Sequence, residues 1–146
     1  MASKPRLTKG MRIFSRNPGP WWKLGARPLL AEVSEDRLRA DGLANMQLQG
    51  ADLEGADLRN VNLCLTNLEG ANLARARLQG ATLGGAYLRG VDLRHADLRG
   101  ASLKSAVLLN ADLTGALYDA RTEWPAGVDP VARGAELHPE PQAAAR

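Results

Sequence analysis

Few residues in this chain are of a type and spacing that do covalent chemistry. The one cysteine, Cys64, and the two histidines, His95 and His138, are far apart in sequence. A nucleophile needs a base within hydrogen-bond reach, and a zinc site needs Cys or His in close pairs. Neither spacing occurs. Asp52, Asp57, Asp92, Asp97 and Asp112, with Asn62, Asn67 and Asn72, each directly precede a Leu. A short polar side chain in that recurrent place is suited to bonding nearby backbone rather than to acid–base work. The expectation is therefore a protein that is not an enzyme, with no catalytic residue, metal ligand or cofactor and no small-molecule substrate.

Binding chemistry has more to draw on. Residues 1–31 carry Lys4, Arg6, Lys9, Arg12, Arg16, Lys23 and Arg27 and no acid. Residues 32–121 hold ten bases and twelve acids, and residues 122–146 two bases and four acids, so the net charge of +3 is a property of the N-terminal arm. With Phe14 and the pair Trp21-Trp22, the arm offers phosphate attraction plus stacking, or anchoring at an anionic membrane. A solvated basic tail with its Trp residues used for capping explains the same residues.

The elements that position these groups follow from one rule. Leu recurs at every fifth residue from Leu38 to Leu113, sixteen times without a miss. From Ala51 onward a small residue stands two places before each Leu: Ala ten times, Val61, Val91 and Thr66. A period of five fits neither the helical period nor strand alternation, so it marks a repeat architecture. In Ala51-Asp52-Leu53-Glu54-Gly55, the first three residues make a minimal strand with Ala and Leu on one face. The last two must turn, and Gly or Asn at many fifth positions suits a turn residue with positive φ. Such a chain coils, with Leu inward.

Runs such as Ala56-Asp57-Leu58-Arg59-Asn60 and Ala71-Asn72-Leu73-Ala74-Arg75 resemble the pentapeptide-repeat family and its A(D/N)LXX unit. The resemblance implies an all-β fold, a right-handed quadrilateral β-helix with roughly four repeats to a coil. At about 4.8 Å between coils, residues 36–120 would form about four coils. The core would be Leu53, Leu58, Leu63, Leu68, Leu73, Leu78, Leu83, Leu88, Leu93, Leu98, Leu103, Leu108 and Leu113, with truncation at Leu73 or Leu78 costing more than at Leu113. The segment from Tyr118 to Pro130, with Trp124-Pro125 and Val128 where Phe is usual, closely resembles a tail common among bacterial members. Trp124 would then fold back over the open end.

The expected organisation is a flexible basic arm (1–27), an N-terminal cap with irregular first repeats (28–50), the β-helix (51–120) and a capping, then disordered, tail (121–146). Leu29, Leu30 and Val33 have helix-compatible spacing, which predicts a short capping helix over 28–39. Asp36, Asp41 and Met46 fill the small-residue slot in the first repeats, as terminal repeats often depart from the rule. One free cysteine, no secretory segment and no long apolar run fit a cytoplasmic location.

Placing residues twenty apart in one column disperses the apparent basic run Arg89, Arg94, Arg99 and Lys104 over four faces. It pairs Asp57, Arg77 and Asp97 with Arg59 and Arg99 as prospective cross-coil ion pairs. It also gathers Tyr87, Val107 and Leu109 beside Arg89, a candidate partner surface. The chain's own tail, or Trp21-Trp22, is the competing cover. A protein partner is expected, with nucleic acid or anionic membrane through residues 1–27 as alternatives, and monomer or homodimer left open. Some family members resemble duplex DNA and bind DNA gyrase; the mixed charge of residues 32–121 weighs against that here.

Overall fold

The computed structural model describes residues 11–15 and 29–139. Lys4, Arg6, Lys9, Arg16, Lys23, Arg27 and the Trp21-Trp22 pair lie outside them.

One pentapeptide accounts for all five of its backbone donors. The Ala71 N–H closes a turn onto the Leu68 carbonyl at 2.9 Å, and the Asn72 N–H donates to Ala51 of the previous coil at 2.8 Å. Leu73 and Arg75 donate forward to Asp92 and Arg94 of the next coil at 2.7 and 2.9 Å. The fifth donor, Ala74 N–H, points to the Asn72 side chain, whose Oδ1 accepts it at 3.0 Å. Since an unpaired backbone group costs free energy wherever water cannot reach it, Asp or Asn before Leu completes the turn in the repeats that carry one.

Parallel bridges join Gln47 to Asn67, Asn67 to Tyr87 and Tyr87 to Val107, and the same step recurs on every face. Each coil is thus four pentapeptides. Every fifth residue from Asn45 to Gly115 has φ between 58° and 72°, as the third residue of a type II turn requires. The geometry holds even where Leu65, Arg75, His95 and Ser105 replace Gly or Asn. Inside, Leu43 to Leu113 stack in columns, none more than 3% exposed. Leu113 is as buried as Leu73, because the tail continues beneath it, so the expected difference between the two is not built into the structure.

The N-terminal end differs from the expected arm and helix. Strand β1 (Met11–Ser15) pairs antiparallel with β2 (Leu29–Val33) and with β3 (Ala51–Asp52), in the order β2-β1-β3. Residues 11–15 of the segment read as a flexible arm are therefore part of a sheet. The apolar run of β2 takes extended form because β1 offers it a hydrogen-bonding partner, and period could not separate the two states over five residues. Ile13 and Val33 are buried on top of the Leu columns. The helix is shorter: α1 (Glu35–Ala40) starts at Ser34, whose hydroxyl accepts the Arg37 N–H at 3.2 Å. Asp36 and Leu38 belong to α1 and Asp41 is its C-cap, so the repeat register begins after them, and Leu43 is the first Leu bonded across coils, to Asn62 at 2.8 Å. Met46 packs half-buried against the core.

At the other end the Leu column continues as aromatic residues. Strand β4 (Leu117–Tyr118) pairs in parallel with β5 (Glu136–Leu137), and Tyr118 meets Trp124 edge to face at 5.5 Å between centroids. Both pack on the core with Val128.

Candidate functional site

The solenoid surface is built from two outward residues per pentapeptide, one on each side of the buried Leu. Where Asp precedes Leu and Arg follows it, the two meet within the repeat. Arg59 Nε and Nη2 donate to the Asp57 carboxylate, both at 2.8 Å. Arg94 does the same to Asp92 at 2.9 and 2.7 Å, and Arg99 to Asp97 at 2.8 and 2.6 Å. The fork geometry suits a carboxylate two residues away because the intervening turn brings the guanidinium back. The expected cross-coil pairs are secondary: Arg77 reaches Asp57 at 3.9 Å and Arg94 reaches Asp112 at 4.0 Å, while Arg75–Glu54 and Lys104–Glu123 close at 3.4 and 2.8 Å.

These contacts hold the carboxylates ionised. The hydrogen bond from Arg59 brings Asp57 down to about 2. Burial pushes Asp97 up, but side-chain and backbone bonds from Arg99 outweigh it and leave the carboxyl below its ordinary value. None of this resembles a group tuned for proton transfer near neutrality. A shallow depression of about 300 Å³ is lined by Arg59, Gln79, Arg99 and Arg121. Its Arg residues are already bound to Asp57, Asp97 and Asp119.

The thiol and imidazoles are not brought together. Cys64 follows Asn62 on one face, His95 occupies a turn over Gly115, and His138 leaves β5 in the tail. Among the described residues, no cluster of three or more His, Cys, Asp or Glu could hold a metal ion. No helix is long and apolar enough to cross a membrane, again among the described residues. Of the seven arm bases only Arg12 is described; its guanidinium lies 5.5 Å from the Phe14 ring centroid.

The Tyr87 face is arranged differently from the rest. The bridge between Tyr87 and Val107 places them in adjacent coils, and Arg89 and Leu109 occupy the parallel column beyond the Leu ladder. Tyr87 is 50% exposed, Val107 43% and Leu109 53%, so the described part of the tail leaves them open. Arg59, Arg75, Arg77, Arg94, Arg99 and Lys104 all have an ion pair. Arg89 has none among the described residues.

The family model described as pentapeptide repeats matches in eight copies over residues 47–85 and 83–117. The chain belongs to the pentapeptide-repeat family. A pentapeptide repeat protein from the Arabidopsis thaliana thylakoid lumen is similar at 32% identity and a TM-score of 0.51, over 56% of this chain and 60% of that one. This chain thus spans less than two thirds of that protein's length. A pentapeptide repeat protein from Nostoc is 33% identical over 63% of this chain and 84% of its own, with a TM-score of 0.37. HetL, a Nostoc pentapeptide repeat protein involved in heterocyst differentiation regulation, is 41% identical over 48% of this chain and 37% of its own, with a TM-score of 0.22. No curated protein matches the chain.

Within this pentapeptide-repeat solenoid, sequence reasoning passed over Leu65. It occupies a turn with φ of 58° and is 52% exposed. A Cβ added to Gly85, one coil on, would lie 2.8 Å from Leu65 Cδ2, so the side chain lies over Gly85. The signal was available: Leu65 is the apolar exception in a series of fifth residues filled by Gly, Asn or polar groups.

Proposed function

We propose that this protein is a non-enzymatic interaction scaffold whose contact surface for a protein partner is the face of Tyr87, Arg89, Val107 and Leu109. The observation that carries the reading is the coincidence of exposed apolar side chains with an arginine that has no ion pair among the described residues. Contiguous exposed apolar surface marks contact sites, and the surrounding faces spend their charges on one another. The Arg94–Asp92 and Arg99–Asp97 pairs favour this reading over a DNA mimic, which needs a long, strongly acidic face. The same proposal takes the solenoid as a right-handed four-sided β-helix of about four coils, capped at both ends, in a reducing compartment suited to the free thiol of Cys64.

The test is co-purification from the native cell with the intact chain and with a Tyr87→Glu, Val107→Lys, Leu109→Glu variant. Loss of a partner with unchanged β circular dichroism is the expected result. Retention of every partner by the variant overturns the surface.

A further inference from the structure

On the Tyr87 face the tail leaves the last row without a further coil. Leu68 and Gly70 N–H donate to the Tyr87 and Arg89 carbonyls, both at 2.9 Å, and Leu88 and Gly90 N–H to Val107 and Leu109 at 2.8 and 2.9 Å. Leu108 and Asn110 hold the corresponding places one coil on, and their N–H groups have no acceptor among the described residues. The Ala106 carbonyl is open in the same sense, whereas its counterparts Thr66 and Ala86 accept from Tyr87 and Val107. The cause lies in the tail, which bonds to itself here. Val128 N–H donates to Pro125, Arg133 N–H to Pro130, and Val131 and Ala132 N–H to the Asp129 carboxylate. The ladder resumes on the next face, where Gly115 N–H meets the Gly134 carbonyl at 2.9 Å.

Three open backbone groups in one row form a sheet edge, and such an edge takes an added strand. A parallel strand would satisfy all three through two of its residues. The first would donate to Ala106 and accept from Leu108, and the residue two places on would accept from Asn110. Tyr87 and Arg89 do the same for Thr66, Leu68 and Gly70 in the row above. Antiparallel pairing needs a two-way exchange at Leu108, whose carbonyl already accepts Ala111 N–H at 3.0 Å and Arg133 Nη1 at 2.6 Å. The two pairing residues would project outward beside Val107 and Leu109 and extend that exposed apolar face by one row. The residue between them would face Leu108, which is already covered, so it must be small. Beyond the row lies a depression of about 450 Å³ lined by Leu109, Asn110, Ala111, Asp112 and Arg133. Thr114 engages Asp112 at 2.6 Å. Arg133 has no ion pair among the described residues, so the depression suits an acidic side chain.

We infer that the edge from Ala106 to Asn110 takes an extended segment of a partner protein as one further parallel strand, with the pattern apolar, small, apolar and then acidic. The pairing rests on the proposed contact surface, since Val107 and Leu109 belong to both, and it specifies the form in which the partner binds. A two-fold pair of this chain would set the edge against itself antiparallel, the arrangement that the occupied Leu108 carbonyl opposes.

The test is selection of a displayed library of short random peptides against the full chain, with fluorescence anisotropy and amide hydrogen exchange by NMR on the enriched sequences. Enrichment of the apolar, small, apolar, acidic pattern is expected. The Leu108 and Asn110 amides should exchange fast in the free chain and about tenfold or more slower with peptide bound. N-methylation of the first apolar residue removes the bond to Ala106 and should weaken binding about tenfold. N-methylation of the small residue, whose amide points away from the edge, should leave binding unchanged. Peptides that tolerate N-methylation at every position, or Leu108 and Asn110 amides that stay fast, overturn the strand. So does protection of those amides in the free chain that deletion of residues 140–146 removes, which makes the chain's own tail the strand. Self-association that Val107→Lys abolishes overturns it as well. Failure to enrich the pattern, while the triple variant still loses its native partner, removes the strand and leaves the contact surface standing. Retention of that partner removes both.

Discussion

Asp119 accepts the Gly100 N–H at 3.0 Å, across the coil boundary. The same Oδ1 takes the Arg121 N–H at 3.0 Å, and the Thr122 hydroxyl, which donates to the Leu98 carbonyl at 2.8 Å, lies 3.3 Å away. This one carboxylate closes the point where the coil gains a residue: Asp97 bridges to Leu117, but Ser102 bridges to Glu123. The extra residue lets Tyr118 and Trp124 both face the core.

Replacing Asp119 with Ala should therefore cost about 1–3 kcal/mol, the penalty for leaving buried donors without an acceptor. Asp119→Asn keeps an oxygen acceptor and should cost less. Urea denaturation followed by β circular dichroism checks both, and equal, negligible losses would remove the keystone role.

Acid should loosen the same end. Burial raises the Asp119 carboxyl, but bonds from Gly100 and Arg121 outweigh it and leave it below its ordinary value. Asp112, bonded by Thr114, and Asp97 are lowered too. Groups lowered in the folded state stabilise it fully above the unfolded carboxylate value of about 3.9 and lose that contribution as pH falls through their folded values. Melting temperature should hold from neutral pH to about 5 and fall below about 4; in Asp119→Asn the fall should be smaller.

The turn positions make opposite predictions. Leu65→Gly should stabilise the fold by about 0.5–1 kcal/mol by removing a left-handed Leu. Gly42→Ala should destabilise it, since a Cβ there would lie 2.5 Å from the Asn62 carbonyl oxygen, which cannot move aside. Paired thermal melts decide each sign.

Leu73→Ala and Leu113→Ala should both cost about 2–5 kcal/mol. Equivalent burial makes them similar, so a much smaller loss at Leu113 would show that the tail does not seal the last coil in solution.

Deleting residues 1–10 should leave thermal stability unchanged, whereas deleting 1–16 removes β1, which pairs with β2 and contributes the buried Ile13 to the core. A lowered melting temperature in the longer deletion alone is the expected result. Salt-sensitive DNA retention by the intact chain and the shorter deletion then reports on the basic residues without disturbing the cap.

The Leu step by itself determined which residues face inward, where the chain turns and that Asp or Asn before Leu serves the backbone, because each is a local consequence of a five-residue period. With the four repeats to a coil that the family resemblance implied, it also put Tyr87, Val107 and Leu109 on one face. Tertiary structure decided the rest. The strand at Met11–Ser15 exists because Leu29–Val33 and Ala51–Asp52 flank it, a pairing between distant segments that no local pattern encodes. Arg59 and Arg99 chose Asp57 and Asp97 within their own repeats because the turn folds the guanidinium back. Leu65 came to lean over Gly85 only once twenty residues of coil had placed the two in contact.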